Sequence, residues 1–384
     1  MGARIDALLR AAVDRGDVPN VVAVAADRDG PIYEGSAGPR VSGEDPPVGP
    51  NTTYRLASMT KMVTTVAALR LVEQGTLELD APVEHYRPEF GELMVLERIE
   101  GGMPKLRPPA AKATIRQLAS HTTGLGYWFW SADLLAWEAA SGVPNVMAGD
   151  ARSFTAPLMC DPGSRFEYGI NTDWLGRVVE VVAGQPLDVH LAEHVLEPLG
   201  MASTGFRIGA EQRADLVPVH VKGPDGAWCP TDIEWPPEPD WWPGGHGLYS
   251  TPRDYLRFQR MLLGGGTLDS VRILQERTVR AAFTNQIGDL SVPEVIRTAS
   301  PAHSCDFAAG PGRTWGLGLL LNTEGEPGRR AAYSGAWAGL CNTHFWVDPT
   351  SGVTGAIYSQ FLPFVTPESM ALYADFERAI YAAR

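Results

Sequence analysis

A serine and a lysine stand three residues apart in Ala57-Ser58-Met59-Thr60-Lys61, at the head of a long apolar run. On a helix, residues i and i+3 share a face, so this spacing brings the Lys61 amine within reach of the Ser58 hydroxyl. A serine hydroxyl is a weak nucleophile until a neighbour takes its proton, and a lysine in a dry pocket does that once burial lowers its pKa. Ser58 is therefore the candidate nucleophile and Lys61 the group that activates it. The residues that follow, Met62, Val63, Val66, Ala67, Leu69, Leu71 and Val72, are apolar almost all round, which predicts a buried helix stopped at Gly75. Free N–H groups at the start of such a helix favour a developing oxyanion. Ser-x-x-Lys by itself also occurs on ordinary surface helices, where the lysine snorkels to water and the serine caps the helix.

Acyl chemistry at a serine needs two further parts: a group that shuttles protons to the leaving atom, and donors for the oxyanion. Tyr168, in Arg165-Phe166-Glu167-Tyr168-Gly169-Ile170-Asn171, is the candidate for the first task. A phenol titrates near 10 in water, yet beside a lysine ammonium it can act as a phenolate or share the lysine's proton, as general base and then general acid. The competing assignment is a core tyrosine bonded to a carbonyl. Ser334-Gly335-Ala336-Trp337-Ala338-Gly339-Leu340-Cys341 is the candidate for the second task. Its small residues let backbone approach a ligand, so that an N–H there pairs with the Ser58 N–H; the alternative is a strand carrying an aromatic plug. His121 invites a Ser-His-Asp triad, but the chain has no Gly-x-Ser-x-Gly elbow, and a structural hydrogen bond at a turn suits His121 better. His246, in a glycine-rich stretch, is expected near the cleft.

The elements that must hold these residues are legible in outline. Val21 to Ala26 and Ile32 to Ser36 read as an antiparallel hairpin across an Asp-Gly-Pro turn, after a short amphipathic first helix. From about Leu77 to Lys222 strand signals nearly vanish and helical periods take over, as at Ile115 to Ser120 and Trp174 to Ala183. Helices follow at Pro252 to Leu263 and Gln275 to Phe283, then strands at Gly316 to Asn322, Ala331 to Tyr333, Thr343 to Val347 and Gly352 to Tyr358, and a last helix at Glu368 to Ala383. A hairpin first, strands last and helices between imply an α+β fold: an antiparallel sheet built from both termini, flanked by helices, with an inserted helical lobe. The expected division is residues 1–76 with 245–384 for the sheet domain and 77–244 for the insertion.

Composition removes several function classes. The 384 residues, 44% hydrophobic, suffice for a large core. The net charge of -13 disfavours nucleic acid or anionic membrane as a partner, since phosphate binding needs clustered Lys and Arg. No run is long enough to span a bilayer and the first residues lack an apolar leader core, so a cytoplasmic protein is expected. Cys160, Cys229, Cys305 and Cys341 lack metal-ligand spacing and read as free thiols, with Cys341 close enough to the third segment to confer thiol-reagent sensitivity. Neither a metal nor a cofactor is called for.

The ordered set Ser58-x-x-Lys61, Tyr168 and Trp337-Ala338-Gly339, leading into Phe345-Trp346-Val347-Asp348-Pro349, resembles the serine β-lactamase and penicillin-binding-protein superfamily, most closely its class C-like esterase branch, the family VIII carboxylesterases. Leu118-Ala119-Ser120-His121-Thr122-Thr123-Gly124-Leu125 and Gly244-Gly245-His246-Gly247-Leu248-Tyr249-Ser250-Thr251 resemble two further segments of that family. The resemblance implies an acyl-enzyme on Ser58, activation by Lys61 and Tyr168, and oxyanion N–H groups from Ser58 and Leu340. Two departures bear on substrate. Penicillin-recognising relatives carry Lys-Thr-Gly or Lys-Ser-Gly where this chain has Trp337-Ala338-Gly339, so the clamp for a substrate carboxylate is gone. They also carry Tyr-x-Asn, whereas here Ile170 takes the Asn position and Asn171 falls one place late. An uncharged, short-chain carboxylic ester is the substrate this implies, with acyl transfer to an alcohol or amine, amide or β-lactam hydrolysis, and a non-catalytic binding relative as the alternatives. Tyr127-Trp128-Phe129-Trp130 and Trp241-Trp242 are either an apolar acyl or alcohol pocket or core of the helical lobe.

Overall fold

The computed structural model describes residues 1–44 and 46–384. Helix α1 (Gly2–Asp14) leads into strands β1 (Val21–Asp27) and β2 (Pro31–Ala37). The Ser-x-x-Lys segment forms a single 3-10 turn, Ala57–Met59, running directly into helix α2 (Thr60–Glu73). Lys61 to Leu69 of α2 are buried without a break, as an apolar circumference requires, and Gly75 ends the helix at φ 74°.

The regular elements in the middle of the chain are helical apart from two hairpins. Strands β3 (Val95–Glu100) and β4 (Met103–Arg107) pair as a hairpin where helical periods were expected. Gly101 and Gly102, both at positive φ, supply its two-residue turn. Exposed Glu97 and Arg98 interrupt the apolar alternation there, which is why the strand pattern is faint. A second small hairpin pairs His220–Lys222 with Trp228–Pro230. Helix α3 (Asn171–Ala183) starts three residues after Tyr168, and α4 (Pro252–Leu263) begins at a Thr251 cap with Pro at its first position.

The C-terminal strands are β5 (Arg313–Trp315), β6 (Leu320–Asn322), β7 (Gly335–Gly339), β8 (Thr343–Asp348) and β9 (Val353–Tyr358), followed by α5 (Pro367–Tyr381). With the N-terminal hairpin they make one antiparallel seven-stranded sheet, ordered β5-β6-β7-β8-β9-β1-β2. Both termini thus build the sheet, and β1 pairs β9 from Val22 opposite Tyr358 to Asp27 opposite Val353. Ala331 to Tyr333 forms a turn, where a strand was expected. The strand lies four residues later at Gly335–Gly339, because the small residues there let β7 pack closely between its neighbours. A large core cluster fills the side of the sheet facing α2, α4 and the helical region; a second, with Ile5, Leu9, Trp346 and Phe376, lies under α1 and α5.

Candidate active site

Lys61 is the hub of the site. Its side chain is 1% exposed, and Nζ lies 3.1 Å from Ser58 Oγ, 2.9 Å from the Tyr127 hydroxyl and 2.8 Å from the Gly245 carbonyl oxygen. Burial lowers its pKa to about 7, against a smaller opposing pull from the Asp173 carboxylate. Three partners match either protonation state. The ammonium donates to all three, while the neutral amine donates to Gly245 and Tyr127 and keeps its lone pair for the Ser58 proton.

Tyr168 closes the other side of Ser58. Its hydroxyl accepts a 2.8 Å bond from Trp337 Nε1, and Ser58 and Trp337 both pull the phenol's pKa down through hydrogen bonding. Burial pushes the phenol well above its ordinary value, more than these two hydrogen bonds pull it down. With Lys61 shifted down and Tyr168 up, amine plus phenol is favoured over ammonium plus phenolate. Of the two states that the sequence left open for Tyr168, a phenolate or a phenol sharing the lysine's proton, burial favours the one that keeps the phenol protonated.

Glycine brings backbone to the nucleophile. A Cβ on Gly339 would stand 2.2 Å from the Leu56 carbonyl oxygen and 2.4 Å from Thr343 Oγ1, so only glycine lets β7 pass this close to the 3-10 turn. Leu340 follows at the strand end. Neither its N–H nor that of Ser58 donates to another protein group among the described residues. Ala57, just before Ser58, holds φ 45°, a conformation costly for a residue with a Cβ. Bonds from Leu248 N–H to Thr60 Oγ1 and from the Tyr255 hydroxyl to the Met59 carbonyl oxygen tie this stretch down.

Asp173, fully buried on α3, is the group that sequence reasoning missed. It accepts the Gly245 N–H at 2.8 Å and the Tyr127 hydroxyl at 3.4 Å, and lies 3.4 Å from His246 Nδ1. An acidic residue in a helix's first turn is ordinarily a partner of the helix dipole, so its type and place carried no catalytic signal. The structure puts Tyr127 on Lys61 itself, and His246 behind Asp173. Trp128 is packed in the main core, edge-on to Tyr127 and Phe129. Trp130 and Trp337 flank the Tyr168 ring, with centroids at 5.3 and 4.7 Å.

Other sequence-named residues take structural places. His121 is fully buried against Tyr168 and accepts the Gly169 N–H, and burial keeps its imidazole neutral. Asn171 bonds to the Leu125 and Glu167 carbonyl oxygens and to Thr123, away from Ser58. Cys341 is 2% exposed and its thiol is raised to about 12, so the expected sensitivity to thiol reagents does not hold at this residue. All four cysteines are free. Among the described residues, no group of three or more His, Cys, Asp or Glu side chains could hold a metal ion, and no helix is long and apolar enough to cross a membrane.

Comparison with known proteins gives the family and the fold. The Beta-lactamase family model matches residues 5–379. The chain belongs to the Beta-lactamase family. Its members extend well past β-lactam cleavage. Monacolin J acid methylbutanoyltransferase of Aspergillus terreus is 30% identical over 98% of this chain and 95% of its own length. Lovastatin esterase of Penicillium rubens is 30% identical over 98% of each. Unliganded simvastatin synthase (LovD) of Aspergillus terreus superposes with a TM-score of 0.86 at 28% identity, covering 99% of this chain and 98% of the other. Within the Beta-lactamase family this chain stands among esterases and acyltransferases that share its fold.

Proposed function

We propose that the protein is a serine hydrolase that cleaves uncharged, short-chain carboxylic esters through an acyl-enzyme on Ser58. The 3.1 Å contact between Ser58 Oγ and a Lys61 amine with a pKa of about 7 carries the reading, because it supplies a base matched to neutral pH. Lys61 takes the Ser58 proton as Oγ attacks the ester carbonyl. The Ser58 and Leu340 N–H groups receive the oxyanion. The Tyr168 phenol, steadied by Trp337, passes a proton to the departing alkoxide and regains it from the water that releases the acid. The cleft lies between the two parts of the chain, residues 1–76 with 245–384 and residues 77–244. The ester preference rests on Trp337, whose buried indole stands where penicillin-recognising relatives carry a lysine. The named esterase relative supports the same class of chemistry.

Turnover of p-nitrophenyl butyrate, together with intact-mass labelling by a fluorophosphonate, tests the reading. Wild-type protein should turn the ester over and gain one label, and Ser58→Ala should do neither. Undiminished activity in Ser58→Ala or Lys61→Ala would overturn it. Acyl transfer to an alcohol is the second reading, favoured by the methylbutanoyltransferase relative. Product analysis with an added alcohol separates the two, since a transferase yields mainly the new ester in the presence of water.

A further inference from the structure

The face of the sheet turned away from Ser58 carries a cavity of about 270 Å³. Ladder register puts Arg313 opposite Asn322, Leu320 opposite Ala336 and Ala338 opposite His344. Their side chains line the cavity together with Met370, Tyr373 and Ala374 of α5. Trp337, between Ala336 and Ala338, sends its indole to the other face, where it meets Tyr168. The cavity and the Ser58 site are therefore back to back across β7.

We propose that this cavity binds a small organic carboxylate that also carries a hydrogen-bond donor, such as a short hydroxy acid. Charge supplies the first requirement. Among the described residues the carboxylates that pair with Arg313, Arg329 and Arg330 are Glu326 and Glu377: Arg313 and Arg329 pair with Glu326, and Arg329 and Arg330 with Glu377. Three guanidinium groups against two carboxylates leave one positive charge, which a monoanion neutralises. Unpartnered polar atoms supply the second. Asn322 is 3% exposed and His344 4%, and among the described residues neither Asn322 Oδ1 nor His344 Nε2 has a hydrogen-bond partner. An amide oxygen only accepts, so Asn322 calls for an O–H or N–H on the ligand. Burial and the nearby Arg330 hold the His344 pKa down to about 3, so the ring is neutral and adds no charge. Buried polar atoms left without partners cost stability, and a ligand that reaches them recovers it. Ala308, Ala336, Ala338 and Met370 provide the apolar wall for a short carbon chain.

Calorimetric titration with 3-hydroxybutyrate, and with butyrate as the probe lacking the donor, tests this. Ala374→Phe fills the mouth from a half-exposed position on α5, and Arg329→Gln removes the surplus charge. Wild-type protein should bind 3-hydroxybutyrate more tightly than butyrate. Each variant should weaken that binding about tenfold while keeping the wild-type melting temperature within a few degrees. Equal affinity in wild type and both variants, or no heat of binding up to tens of millimolar probe, would overturn the proposal. Should either variant melt early, the other still reads the same cavity.

Discussion

Trp337 Nε1 lies 2.8 Å from the hydroxyl oxygen of Tyr168, and both side chains are 5% exposed. Among the described residues the indole N–H has no other partner, and the phenol oxygen so engaged still has its own proton to offer Ser58. A residue noticed in the sequence for the cation it replaces thus acts on the neighbouring phenol.

Trp337→Phe keeps an aromatic ring against Tyr168 and Phe307 and removes the donor. Loss of one buried hydrogen bond, worth about 1 kcal/mol, should lower kcat for a p-nitrophenyl ester roughly fivefold with little change in KM. Steady-state kinetics with a matched melting curve checks this; an unchanged kcat would show that the Tyr168 oxygen needs no second partner.

The Lys61 amine must be free to take the Ser58 proton, so kcat/KM should rise with pH along an acidic limb centred near 7. Asp173 holds the Lys61 pKa up, and removing that charge lets it fall. In Asp173→Asn the limb should therefore move to lower pH, with activity reduced by the disturbed Gly245 and Tyr127 contacts. A limb that stays in place would mean that another group titrates.

The same lysine makes stability pH-dependent. Its folded pKa of about 7 lies below 10.5 for the free side chain, so between these values the unfolded chain binds the additional proton. Stability then increases as pH rises from about 7 towards 10.5, and the burial penalty is complete below 7. Compared with Lys61→Met, wild-type protein should gain about 2 to 3 kcal/mol between pH 7 and pH 9, read from urea midpoints at the two values.

Gly339→Ala places a methyl 2.2 Å from the Leu56 carbonyl oxygen. Backbone on both sides must move apart, at a cost of at least ~2 kcal/mol. Esterase activity should fall further than stability, because the same movement separates the Ser58 and Leu340 amides. Ala338→Gly, one residue away, is the control, and it should retain most of its activity.

Much of this was legible in the chain. The buried helix after Ser58 follows from an unbroken apolar circumference, the terminal hairpin and strands from period-two runs with turn residues between them, and α4 from a Thr-Pro start. What local pattern could not show was the hairpin at 95–107, whose charged residues mask alternation; at Gly335–Gly339 it offered both a ligand-facing backbone and a strand with an aromatic plug, and the strand is what forms. Spacing along one helix determined that Ser58 and Lys61 meet, since i and i+3 share a face wherever the helix sits. Only the tertiary structure decided the rest. Tyr127, Tyr168, Asp173, Gly245 and Trp337 come from separate segments, and their contacts arise from packing at long sequence separation. The Lys61 pKa depends on the same packing, because removal of water by distant parts of the chain, not the identity of its neighbours in sequence, sets the cost of its charge.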